Sequence, residues 1–338
     1  MMKAWVINEF GIDNLAFEDR EKPQAGSGDV VVRLRSASLN YRDFMVVTGT
    51  YNPRMKVPAI PVSDGAGEIV EVGSNVAKWK VGDRVMPIFA QHWFDGETSE
   101  EKRRTSLGAG SQWDGVLREY AAFHEESLVK IPESLSFEEA STLPCAGVTA
   151  WNALSVSGNV KAGETVLTLG TGGVSIFALQ LAKLFGARVI ATTSSESKMA
   201  KLKELGADET INYRVREDWD SAVLEITEKK GVDHVIEVGG GDTLGRSLTS
   251  VRLGGHVAMI GALSGPAGFN PISVFMKAVR LQGIFVGSRK MLEDLCKAVE
   301  VNRMKPVIDR VFEFDEAREA LKYMQSGSHF GKIVLRIS

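Results

Sequence analysis

The stretch from Gly163 to Ala187, GETVLTLGTGGVSIFALQLAKLFGA, constrains the fold more than any other part of the chain. The apolar run Thr165 to Leu169 predicts a strand, Gly170, Gly172 and Gly173 a turn, and Ile176, Phe177, Leu179, Leu181 and Leu184 the buried side of a helix. This order opens a dinucleotide-binding βαβ unit. Gly170 makes the tight turn, and Gly172 lets the backbone approach a pyrophosphate on the helix N-terminus, where free N–H groups favour an anion. Thr171, Gly173, Val174 and Ser175 complete the expected cofactor loop, with Ser175 standing where the third fingerprint glycine would be. On its own, G-x-G-x-x-S fits an ordinary strand-to-helix loop equally well.

The downstream sequence favours the nucleotide reading. Arg188 to Thr193 predicts a second strand and Ser197 to Leu205 a second helix stopping at Gly206. Apolar runs at Glu209–Tyr213, Val232–Val238, Gly255–Ile260 and Leu281–Val286 continue the alternation. Strands alternating with helices imply a doubly wound parallel sheet with its ligand crevice at the strand carboxyl ends. NAD enzymes usually carry an acid for the ribose 2′-hydroxyl about 20 residues beyond the glycines. Here Thr192, Thr193, Ser194 and Ser195 occupy that region, and Thr193, Ser194, Lys198 and Tyr213 offer hydroxyls and a cation to a 2′-phosphate. The expected cofactor is therefore NADP(H); a solvated helix lysine is the other reading of Lys198.

With 338 residues, 44% hydrophobic and 25% charged, the chain has room for two domains and a sizeable core. A net charge of −3 gives no reason to expect nucleic acid as partner. The start, MMKAWVINEFG, lacks a signal-peptide apolar region, no apolar run reaches membrane-spanning length, and Cys145 and Cys296 form no disulfide pattern; a cytoplasmic location is expected. Before the glycine loop, short strands at Lys3–Ile7, Val30–Leu39, Ala66–Val72 and Arg84–Phe89, separated by glycine turns, predict a partly open β-barrel. Asp95 to Gln112 is polar and expected to be a solvated loop or surface helix. The tail predicts helices at Met291–Val301 and Asp315–Gln325 and a strand at Gly331–Ile337.

LNYRD at Leu39–Asp43, DGAGEIVEVGSNV at Asp64–Val76, VGDRV at Val81–Val85, LPCAGVTAWNAL at Leu143–Leu154, LGTGGVS at Leu169–Ser175 and the terminal GKIVLRI together resemble the medium-chain dehydrogenase/reductase superfamily. The resemblance implies a GroES-like catalytic domain from residues 1–145 and 286–338 and a Rossmann domain from 146–285. It also implies a homodimer through Rossmann edge strands, here Leu281–Val286. Zinc-dependent members hold the catalytic ion with a Cys, a His or Glu, and a second Cys, giving a tetrahedral site with one open position. At the matching positions stand Asn40, Ser63 with Asp64, and Cys145, so zinc-free quinone oxidoreductases and enone or alkenal reductases are the similar members.

Without a Lewis acid, pre-activated acceptors suit the chain best: a quinone or conjugated carbonyl accepts hydride once it is aligned and its developing oxyanion receives a hydrogen bond. The expected catalytic residues are Asn40 as amide donor, Tyr51 as proton donor or wall, and Asp64 as a shifted carboxylate or a structural acid holding Arg42 or a backbone amide. Thr149 matches a nicotinamide-contacting position, Val238, Gly239 and Leu263 lie at strand ends beside the ring, and Arg289 and Lys332 are expected at the cofactor phosphates, a solvated lysine being the equal alternative for Lys332. No metal is expected. The competing readings are a zinc-free alcohol dehydrogenase or aldehyde reductase, and a non-catalytic NADPH-binding protein.

Overall fold

The computed structural model describes residues 1–110, 113–261, 265 and 270–337. They divide into two compact units, Met1–Val148 with Val286–Ser338, and Thr149–Phe285.

In the continuous unit, six strands pair in the spatial order Glu209–Asn212, Arg188–Thr193, Thr165–Thr168, Val232–Glu237, Val251–Met259, Arg280–Gly283, every pairing parallel. The helices Gly173–Leu184, Glu196–Glu204, Trp219–Ile226 and Gly241–Ser250 connect them. The first strand in sequence, Thr165–Thr168, lies mid-sheet with the chain running outward on both sides. This is the doubly wound Rossmann order, whose switch point lies at the carboxyl end of that strand. Leu167, Ile190, Val235 and Val257 from four strands, with Trp219 and Leu244 from two helices, share one core. Leu184, expected inside, is exposed near the end of its helix.

The discontinuous unit is built on a seven-stranded sheet. Its central strand, Asp29–Leu39, pairs antiparallel with Asp64–Val72, with Tyr120–His124 and with Lys332–Arg336. Leu34, Ile69, Val116, Leu335 and the N-terminal hairpin residue Ile7 pack in its core. Four strands had no counterpart in the sequence reading: Leu15–Arg20, Tyr120–His124, Leu128–Lys130 and Ile308–Glu313. Leu15–Arg20 carries three charged residues because it lies in a hairpin with one half-exposed face. No helix among the described residues is long and apolar enough to cross a membrane.

Candidate active site

Strand register gathers the polar cluster of the discontinuous unit. Ser38 pairs with Asp64 and Leu39 with Ile333, so the ends of three strands bring Asn40, Asp64 and Lys332 together. Asn40 stands at the N-terminus of the helix Tyr41–Val47; its N–H donates to Asp43 Oδ2 at 2.8 Å, closing the first turn as a capping carboxylate does. Lys332, only 3% exposed, donates through Nζ to Leu39 O and Asn40 Oδ1, both at 2.6 Å. Asp64 accepts from the Ser63 hydroxyl at 2.7 Å and, through Oδ2, from the Cys145 backbone N–H at 3.0 Å. Cys145 lies in the widened π-helical turn Leu143–Gly147. Thr149 follows it, buried, in the other unit.

Burial governs the acid–base character of this cluster. It pushes the Asp64 carboxyl up to about 6 against the pull of the Lys332 ammonium, with Asp43 adding repulsion. Burial likewise raises Asp43 and the Cys145 thiol and lowers Lys332. Burial thus disfavours the Cys145 thiolate, the nucleophilic form.

The sequence places Lys332 and Arg289 at cofactor phosphates; the structure gives both other partners. Lys332 is enclosed beside Asn40, as described. Arg289 donates to the Glu126 carbonyl and carboxylate, pairs with Glu293 at 3.4 Å, and lies over the Phe94 ring. Tyr51 is not hydrogen-bonded to Asn40 or Asp64; its ring, 42% exposed, lies against the Arg42 guanidinium at 5.1 Å. Arg42 in turn pairs with Asp43, not with Asp64.

The nucleotide loop has the features a dinucleotide needs. Gly170 has φ +71°, a conformation that favours glycine, and its N–H donates to Thr192 Oγ1 at 3.2 Å. Gly172 caps the helix Gly173–Leu184 in extended backbone, and a Cβ there would meet nothing within 4 Å, leaving that side open to a phosphate. Thr171 is buried beside it, and Val174 is half-buried in the first turn. Ser175 replaces the packing role of the missing glycine with a bond: its hydroxyl donates to Leu169 O at 2.6 Å, tying the first turn to the strand end. This loop fits a dinucleotide cofactor.

At the end of the second strand, Thr193 is buried, its carbonyl accepts from the Tyr213 N–H at 3.0 Å, and Ser194 and Lys198 are half-buried nearby in sequence. Val238 and Gly239 follow the fourth strand. Their loop is ordered by a residue the sequence reading passed over: Glu237, fully buried, accepts from the N–H groups of Gly239 at 2.7 Å and Gly240 at 3.0 Å and from the hydroxyls of Thr243 and Ser247. An acid directly before V-G-G-G is the signal that could have revealed it. Leu263 lies outside the described residues.

The donor set does not fit a catalytic zinc. Of the ligand positions only Cys145 is a thiol, its burial opposes thiolate, and an ammonium occupies the cluster. Among the described residues no group of three or more His, Cys, Asp or Glu side chains is placed to hold a metal ion. His92 packs on Trp113 and Phe94.

A nucleotide-binding Rossmann unit and a GroES-like unit with its own buried polar cluster define the class of an NAD(P)-dependent oxidoreductase. The alcohol dehydrogenase GroES-like domain model matches residues 26–133, and the zinc-binding dehydrogenase model residues 173–300. A zinc-type alcohol dehydrogenase-like protein of Schizosaccharomyces pombe is 42% identical over 335 residues, 97% of this chain and 96% of that protein. A 2-methylene-furan-3-one reductase of Solanum lycopersicum is 33% identical over 341 residues, 99% of this chain and 79% of that protein. The crystal structure of an NAD-dependent alcohol dehydrogenase superposes with a TM-score of 0.90 at 32% identity, covering 100% of both chains. The chain belongs to the medium-chain dehydrogenase/reductase superfamily.

Proposed function

We propose that this protein is a zinc-independent, NADPH-dependent reductase of conjugated carbonyl compounds (enones or alkenals) or quinones. The observation that carries the reading is the orientation of Asn40. An ammonium has donors only, so Lys332 holds the amide by its oxygen and leaves Nδ2 as the free end. That nitrogen is buried, completes no hydrogen bond of full geometry, and lies close enough to the Asp64 carboxyl to help hold it down, so at least one of its two N–H groups is left to donate. It is a fixed donor for an oxygen that becomes negative as hydride adds to the conjugated carbon, an interaction stronger in the transition state than in the ground state. The electron pair moves onto the acceptor oxygen and a proton from water completes the reduction. The nicotinamide, when bound, supplies the hydride.

Asp64 and Lys332 hold this donor in place, and Tyr51 serves as wall through its stack on Arg42. The name of the tomato relative describes a ketone conjugated to an exocyclic alkene, which supports the acceptor class. NADPH is favoured by Thr193, Ser194, Lys198 and Tyr213 at strand ends without a carboxylate to repel a 2′-phosphate. Assembly as a homodimer is supported by the free sheet edge at Arg280–Gly283 and by exposed Ile272, Phe275 and Met276 on the helix preceding it.

The test is oxidation of NADPH and NADH against an enone, a quinone and a simple aldehyde, each with and without a chelator. Chelator-resistant turnover of the enone or quinone, preferring NADPH, is expected. Loss of activity with chelator overturns the metal-free reading. Turnover of the aldehyde alone establishes instead the alcohol dehydrogenase reading that the names of the yeast relative and the superposed structure favour.

A further inference from the structure

Arg42 carries a recognition edge that the reading above leaves unused. Its guanidinium lies between two rings, Tyr51 at 5.1 Å and Phe89 at 5.0 Å, and the side chain is 11% exposed. One end is clamped: Nη1 donates to Leu107 O at 2.9 Å and to Asp43 Oδ1 at 3.2 Å. The other end is not. Nε and Nη2 are buried and have no hydrogen-bond partner.

Those two nitrogens present their N–H groups in parallel along one edge of the planar guanidinium, the arrangement that meets both oxygens of a carboxylate. A buried charged donor left unpaired is costly, and here the unpaired donors are the fork-forming pair, held flat by the aromatic faces. Phe89 is enclosed whereas Tyr51 is half exposed, so Tyr51 is the neighbouring ring that can move without disturbing the core. Asp43 couples this edge to the acceptor-oxygen donor: its Oδ1 accepts from Arg42 and its Oδ2 from the N–H of Asn40.

We propose that Arg42 is a specificity-determining residue that takes a substrate carboxylate on its Nε–Nη2 edge, making short conjugated oxo-acids the preferred acceptors over neutral enones. The proposal rests on conjugated-carbonyl reduction as the activity. One anchor grips the carboxylate and Asn40 the carbonyl oxygen, which fixes both ends of a small molecule that otherwise has little surface to hold.

The test compares β-acetylacrylate with ethylideneacetone, the same enone with a methyl group replacing the carboxylate, in the wild type, Arg42→Leu and Arg42→Lys. The wild type is expected to favour the acid by about 100-fold or more in kcat/KM, the scale set when a site's polar groups are left unpaired by an analogue. Arg42→Leu is expected to bring that ratio close to one. Arg42→Lys keeps a cation beside Asp43 and therefore the fold, but loses the fork, and is expected to lose most of the ratio. Equal turnover of both acceptors by the wild type overturns the proposal, as does a fall in both that leaves the ratio unchanged. Calorimetric titration with levulinate, the saturated acid, decides the case where neither acceptor is reduced. Binding by the wild type and not by Arg42→Leu upholds the carboxylate site while the enone reading fails, and no binding to the wild type overturns the site.

Discussion

The ammonium of Lys332 donates to Asn40 Oδ1 at 2.6 Å across 292 positions of sequence. A cation in contact with the amide oxygen determines which end of the amide is available. Removing the amide should therefore affect chemistry more than cofactor binding. Asn40→Ala is expected to lower kcat on an enone by about 100-fold, the usual effect of deleting one donor to a developing oxyanion. NADPH affinity, followed by fluorescence titration, is expected to stay within a few-fold.

Lys332 is the cation facing both Asn40 and Asp64 in a site closed to solvent. Lys332→Met removes the ammonium whose attraction opposes the burial of Asp64 and leaves Leu39 O and Asn40 Oδ1 without their donor, a loss of about 1–3 kcal/mol for buried polar groups left unpaired. Urea denaturation should show that loss. Asp64→Asn combined with Lys332→Met should recover part of it, because the unpaired charge is then gone as well.

Asp64 makes stability depend on pH in an unusual direction. Its folded pKa, about 6, lies above the ordinary 3.8. The native state therefore binds more protons than the unfolded chain in that window, and stability contributed by the protonated acid is lost as pH rises from about 4 through 6. The difference corresponds to about 3 kcal/mol. Denaturation of wild type and Asp64→Asn at pH 4, 5, 6 and 7 should give curves whose separation changes across that window and is constant above it.

Two glycines of the nucleotide loop should fail in different ways. Gly170→Ala forces a side chain into φ +71° and is expected to cost about 1 kcal/mol of stability. Gly172→Ala has room in the free protein, so its melting temperature should hold, while its Cβ occupies the side open to the phosphate. NADPH affinity of that variant is expected to fall about tenfold or more, consistent with the second fingerprint glycine's role in close backbone approach.

The strand, turn and helix around Gly170 are legible in the sequence because a local pattern encodes them: apolar run, glycines, apolar face at helical spacing. Asn40, Asp64 and Cys145 are legible only by comparison with a family pattern, and their convergence is not local. Lys332 is the clearest failure. In HFGK it reads as a basic residue near a strand start, and nothing nearby says that pairing of Ile333 with Leu39 buries it beside Asn40. Arg42 fails for a related reason. The sequence shows an arginine between a tyrosine and an aspartate, whereas its function-bearing feature, two N–H groups without partners, depends on rings at Tyr51 and Phe89 that fold over it.

The strand Lys332–Arg336 sits inside its sheet, between Ile308–Glu313 and Asp29–Leu39. During synthesis, the nucleotide unit can complete its core once Phe285 has emerged, but the other unit waits, with the Ser36–Leu39 edge of its central strand unpaired, until Ile333–Arg336 follow. A chain truncated before residue 332 would thus be able to form the nucleotide unit but would lack the cation that orients Asn40. Such products are expected to be abortive binders that expose the Ser36–Leu39 edge of the central strand to aggregation.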